Sequence, residues 1–416
     1  MAVFRLSAPV AAEFHGGWRL LVACAVGVGC SAIALPFYTV GPLTKPIAEA
    51  MGWARSDIQI AVIFSSGIGA LTAPLTGWMI DRFGPRAVAL PSLVGVSLGL
   101  LVASFATSLT MFWFGYAMTA ILGAGSNPVL WSRVIAGNFE KARGAALGMA
   151  LVGTAVVALV LPGLIATLIP GHGWRFALRV IALLPLVLAL PVAWAWLRPV
   201  GMGRSTAQEP VARTGITWRV AVRQVRFWVI ATSILLAYLA VSGALANLVP
   251  ALSDRGISPA KAGAIAGTVG ITMIPGRILV GVLMDRFWAP AVAGLVLLLP
   301  ALACIILSQS NDPALLVAAC AMLGLAAGAE LDVLGYLTAR YFGLTDYARI
   351  YALIYIALAT GSATAPTVFS RIHDASGNYG LSFTVSAVCF LIAALLLPLL
   401  GRYPQWETNL ADETDG

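Results

Sequence analysis

The sequence predicts an all-α membrane protein with twelve transmembrane helices in two six-helix, pseudo-symmetric halves. Three observations carry this expectation. Of 416 residues, 60% are hydrophobic and only 10% charged, with a mean hydropathy of +0.92. The apolar residues stand in long unbroken runs, and about 20 of them at roughly 1.5 Å rise each cross a bilayer core. One motif also recurs at corresponding places in the two halves. A soluble globular chain carries roughly a quarter charged residues. The composition therefore excludes a soluble enzyme, a nucleic-acid binder and a disordered protein.

In order, the apolar runs cover about 17–43, 58–80, 87–106, 109–135, 145–169, 175–197, 227–252, 262–284, 289–308, 313–339, 350–371 and 381–401. The first exceeds a signal-peptide core in length and is expected to stay as a helix. Residues 1–197 then form one six-helix bundle and 227–401 the other, with a tail at 402–416. Between the bundles, 198–226 is polar and holds Arg198, Arg204, Arg213, Arg219, Arg223 and Arg226. Its end, Trp218 to Phe227, alternates valines with arginines and suits a short interfacial helix.

An even span count places both termini on one side. Taking that side as cytoplasmic leaves about 17 Lys and Arg inside and about 7 outside, as the positive-inside rule requires. The net charge of +8 is thus a topology signal, not a nucleic-acid patch. Cys24, Cys30, Cys304, Cys320 and Cys389 all lie in apolar runs without C-x-x-C spacing, and are expected to be buried small hydrophobes.

Gly77-Trp-Met-Ile-Asp81-Arg82-Phe83 ends the second span, and Gly281-Val-Leu-Met-Asp285-Arg286-Phe287 ends the eighth, 204 residues later. The match in position and side indicates a parallel duplication. The glycines are expected to let helices approach closely, while the Asp-Arg pairs act at the water line as a conformational latch. With Gly84 and Arg86, the first copy resembles the signature loop of the major facilitator superfamily of secondary transporters. The second copy departs from it, with Trp288 after Phe287.

A narrower resemblance is to monocarboxylate and bacterial oxalate–formate type carriers. Gly16-Gly17-Trp18 opens the first span as in monocarboxylate carriers, and Phe139-Glu140-Lys141-Ala-Arg143-Gly144 enters the fifth much as theirs does. Arg277-Ile-Leu-Val-Gly281 matches their eighth-span arginine, which the resemblance implies binds the substrate carboxylate. Where those carriers have a first-span lysine, this chain has Tyr38 or a neighbour; where they have an acid one turn before the arginine, it has Met273. The eleventh span holds no lysine, so the second cation of the oxalate-type carriers is missing. The resemblance implies a small organic anion as cargo, a proton as partner, no cofactor, and a monomer in a bacterial inner membrane.

The residues alone also point to Arg277. It lies eight residues, roughly 12 Å of helix, from Asp285, and is therefore close to mid-membrane. A buried arginine there costs about 2.5–3.5 kcal/mol on insertion scales. Its counterpart in the first half is Ala73, so the duplication does not require it. A planar donor fork suits a carboxylate. The blander alternative is a structural ion pair with Glu330 or Asp332 of the tenth span. Two residues apart, these acids point about 200° apart. By depth Glu330 is the expected partner of Arg277, and protonation of one acid would couple substrate to a proton. Tyr38, Asn127, Asn247 and Tyr355 are further candidate substrate contacts, each equally open to a reading as interhelical glue.

Gly95-Val-Ser97-Leu-Gly99 fits a hydrolase elbow in letters, but it sits mid-span, and His15, His172 and His373 fall outside the spans. No phosphate loop or metal cluster is present. The expectation is a secondary transporter of a mono- or dicarboxylate or aromatic acid. The alternatives are an exporter of a cationic or amphipathic compound, held by the tenth-span acids, and a non-transporting membrane sensor.

Overall fold

A computed structural model describes residues 8–139, 143–197, 215–343 and 345–404. Eight helices among them are long and apolar enough to cross a membrane, and the bent pair Ala8–Gly29 and Ala34–Met51 supplies a ninth. The other three of the twelve spans arise from interruptions. Helix Arg143–Leu184 turns at Gly173, whose φ of 75° favours glycine, and so contains the fifth span and the start of the sixth. The second span is Arg55–Val62, a π-helical turn at Ile63–Gly67, and Ile68–Phe83. The fourth is Leu109–Leu122, a 3-10 turn at Ala124–Ser126, and Pro128–Asn138.

The remaining spans are Pro85–Ser104, Val225–Asp254, Pro259–Arg286, Ala289–Gln309, Tyr347–Ser376 and Gly380–Leu396, with the tenth broken into Pro313–Ala327 and Glu330–Phe342. Local sequence explains many of the ends. Pro85, Pro128, Pro259 and Pro313 open helices where no N–H partner is needed. Ser108 and Asp312 cap the N-termini that follow them. Gly84, at φ 82°, turns the chain between the second and third spans.

The two halves have separate cores. One buried cluster runs from Ala221 to Leu400, and two others lie wholly between Leu21 and Leu197. Lipid gives little hydrophobic drive for helix association, so close packing of small residues carries it. Gly95 and Gly99 lie against Leu122 and Thr119, Gly153 against Ala25, and Gly324 and Gly328 against Val269 and Met273. The supposed elbow is therefore a helix contact. Between the halves, Gly263, Gly267 and Gly270 pack on Pro162, Leu159 and Ala155, and Gly41 packs on Ala246.

The face where the first span begins and the twelfth ends is called here the terminal face, and its opposite the far face. At the terminal face, the expected close approach at Gly77 and Gly281 is absent: a Cβ at either would meet nothing within 4 Å. Arg82 instead lies over Trp78, and Arg86 over Trp194, while Asp285 and Arg286 are exposed. The Asp81 side chain, and Glu140 and Lys141, lie outside the described residues. The interfacial helix is also shorter than expected, a single turn at Trp218–Ala221. It is held because the Trp218 N–H donates to Asp346 at 3.0 Å and the Ile216 N–H to the Phe342 carbonyl at 3.0 Å.

Candidate substrate and coupling site

The tenth span gives up its helical path at Gly328 and Ala329, which leaves the Gly328 carbonyl free for a side chain. Arg277 of the eighth span takes it: its Nε donates to the Gly328 oxygen at 2.9 Å. The same Nε lies 2.9 Å from Asp332 Oδ2. The partner of Arg277 is thus Asp332 and not Glu330, a correction to the expectation from depth. Depth along a helix ignores azimuth, and the break re-aims the first turn of Glu330–Phe342 so that Asp332 faces the eighth span. Neither member of the pair is sealed in. The Arg277 side chain is 18% exposed and that of Asp332 38%.

Glu330 faces elsewhere. It is 6% exposed and lines a cavity of about 30 Å³ inside the second half, bordered by Ser233, Ala237, Val296 and Leu297. Tyrosines cluster near both acids. Tyr355 stacks on Tyr351 with centroids 6.2 Å apart, and Tyr351 lies 5.8 Å from Tyr347, one face of the eleventh span. Tyr238 has Glu330, Tyr355, Tyr351 and Arg277 as electrostatic neighbours. The i, i+4, i+8 spacing of 347, 351 and 355 marks a helical face in the sequence, of which Tyr355 is the one expected substrate contact.

Tyr38 crosses from the first half, and its hydroxyl meets Met273 Sδ at 4.0 Å. The two positions at which the chain departs from the monocarboxylate-carrier pattern therefore face each other. Asn247 does not join this group. Fully buried, it donates to the Gly243 and Pro366 carbonyls and accepts from Ser370 at 2.9 Å, which ties the seventh span to the eleventh. Its reading as a substrate contact is thus replaced by interhelical glue. Asn127 lies where three interruptions of the first half converge, beside Gly69 and Ile33, while Ala32 N–H donates to Ser126 across the same junction. Its amide is 2% exposed, and both its polar atoms lack a hydrogen-bond partner among the described residues.

The sequence did not reveal a second polar group at the far face. Asp254 there receives Lys45 at 3.0 Å, Arg55 through both guanidinium ends, and His373 Nε2 at 3.3 Å. The Ser56 N–H donates to Asp374 at 3.1 Å, and Arg55 reaches the Tyr379 hydroxyl. Residues from the first half thus meet residues 199 to 324 positions away. No local pattern announces such partners. His373, expected in a loop, belongs to the last turn of the eleventh span.

A twelve-helix membrane protein with a partly exposed ion pair at a helix break has the make-up of a carrier. A family model described as Major Facilitator Superfamily matches residues 26–290 and 234–414, and the chain belongs to that superfamily. It is a transporter and not an enzyme. Monocarboxylate transporter 13 of Bos taurus is 27% identical over 354 residues, 83% of this chain and 81% of its own. Monocarboxylate transporter 12 of Xenopus laevis is 22% identical over 412 residues, 92% and 88% respectively. A fujikurins efflux protein of Gibberella fujikuroi is 29% identical over 165 residues, but covers only 39% of this chain and 33% of its own.

Proposed function

We propose that the chain carries a small monocarboxylate together with a proton, by alternating access, with Arg277 as the carboxylate's partner. The observation that carries this reading is the Arg277–Asp332 pair at the tenth-span break, partly open to solvent. Asp332 is an internal stand-in for a substrate carboxylate. An arriving anion takes the guanidinium fork and Asp332 swings off, so binding replaces one ion pair by another and stays reversible. Tyr38 and Tyr355 border this position in the proposal, and Asn127 supplies the first half's polar contact.

Alternating access is supported by the asymmetry of contact. The halves meet through the Asp254 cluster at the far face, whereas Gly77 and Gly281 stand free at the terminal face. In the proposal these glycines and the Asp-Arg motifs close when the far face opens. The positive-inside bias makes the terminal face cytoplasmic in a plasma membrane. The carrier works as a monomer, because the site lies within one chain. Export of a cationic or amphipathic compound is the second reading; the two tenth-span acids favour a cation, and the partial match to an efflux protein favours export.

The deciding experiment is uptake of radiolabelled pyruvate and benzoate into proteoliposomes with wild type and Arg277→Ala. Loss of saturable uptake in the variant supports the anion reading. Retained uptake, or transport of organic cations in its place, overturns it.

A further inference from the structure

Arg277 is committed to Asp332 and to the Gly328 carbonyl, yet a second carboxylate directly follows the break with no cation on it among the described residues. Glu330 is more than nine-tenths buried, and its Oε1 has no hydrogen-bond partner among the described residues. The Ser233 hydroxyl of the seventh span is 1% exposed and is likewise unpartnered. Both line one cavity of about 30 Å³, whose other walls are apolar residues of the seventh, ninth, tenth and twelfth spans. A single water needs roughly 10–15 Å³ of such space and two or more polar partners. Two unsatisfied polar groups facing one water-sized space form a built site.

We propose that Glu330 and Ser233 form the proton-loading site of this carrier, inside the second half and apart from the carboxylate at Arg277. This rests on the proposed function, and names which acid carries the proton. An unpaired buried carboxylate costs several kcal/mol, and removing or neutralising its charge is the available remedy. Among the described residues, the groups around Glu330 supply no free cation: Ser233 and Tyr238 come from the seventh span, Tyr38 from the first, Asp332 from its own helix, and Arg277 from the eighth is already paired. The ninth and twelfth spans add only apolar side chains to the cavity wall. Loading takes a proton from hydronium at the accessible face, so that one O–H bond of hydronium breaks and one forms at the Glu330 carboxylate, and Ser233 accepts from it directly or through one water. Unloading breaks that bond and returns the proton to water. No electron moves.

The break joins the two sites. Arg277 holds the Gly328 carbonyl, and Glu330 begins the helical turn that follows. A substrate that draws Arg277 away from Asp332 changes the pull on Gly328, and so the placement of Glu330. Substrate and proton thereby meet on one hinge without touching.

Infrared difference spectra of the liposome-reconstituted protein across a pH titration read the protonated carboxyl band directly. The band should persist in Asp332→Asn and vanish in Glu330→Gln; the reverse pattern overturns the assignment. Pyruvate and benzoate counterflow should survive in Glu330→Gln. Net uptake driven by a pH gradient should fall by about tenfold or more, the factor given by about 1.4 kcal/mol of lost coupling. Unchanged pH-driven uptake, or wild-type uptake that follows a sodium gradient and ignores pH, also overturns it. Ser233→Ala offers a milder test, with weakened pH-driven uptake and intact counterflow. If wild type exchanges neither acid, the carboxylate reading fails, while the infrared arm still decides the role of Glu330.

Discussion

In the proposed site the chemistry falls on Arg277, which is permanently charged, planar and only partly desolvated. Lysine keeps the charge but loses the fork. A charge-assisted hydrogen bond contributes about 1.5–3 kcal/mol, so Arg277→Lys should raise the apparent KM for pyruvate or benzoate by about ten- to a hundredfold, measured as initial uptake. Asp332→Asn removes the competing carboxylate. It should tighten apparent binding and slow turnover, because release then lacks an internal partner; a rise in KM would refute this role. Asn247 serves as the contrast. Its bonds to Gly243, Pro366 and Ser370 are structural, so Asn247→Ala should lower thermal stability by about 1–3 kcal/mol and leave KM unchanged.

At the scale of the helix, the recurrent device is an interruption near mid-membrane. The first, second, fourth and tenth spans all leave the regular α path. Exposed backbone at such breaks is tolerated only where protein or a water-filled cavity satisfies it. At the tenth-span break the satisfying group is Arg277. Gly328 is needed there for space, not for backbone freedom, since a Cβ would run into the Met273 carbonyl. Gly328→Ala should therefore push the eighth and tenth spans apart, cost about 1–3 kcal/mol in stability, and weaken substrate binding. Paired melting curves and uptake kinetics check both. The break was half legible in the sequence: Gly324 and Gly328 signalled a close contact, but nothing local gave the rotation that turns Asp332 toward Arg277.

For the whole molecule, the relevant quantity is the balance between contacts at its two faces. Asp254 gathers Lys45 and Arg55 across the halves and His373 from its own half, and three of these four side chains keep a quarter or less of their surface exposed. Losing that hub should shift the population toward a state open at the far face. A shift of about 1.4 kcal/mol changes the ratio tenfold. Asp254→Asn should accordingly speed labelling of Ala246→Cys by a membrane-impermeant thiol reagent added at the far face. Unchanged labelling would show that the small-residue seam at Gly41, Gly263 and Gly267 holds this face closed alone.

The sequence by itself determined the membrane setting, the span count, the duplication and the presence of one arginine deep in a span. Each of these is a property of composition, of run length, or of one residue type in an expensive place. Tertiary structure alone decided that Arg277 pairs with Asp332, that Asn247 is glue, that Glu330 and Ser233 line one cavity, and that Asp254 ties the halves together. These are matters of azimuth and long-range approach. A one-dimensional pattern fixes depth along a helix, but rotation about its axis is set by neighbours hundreds of residues away and by breaks that reset the phase.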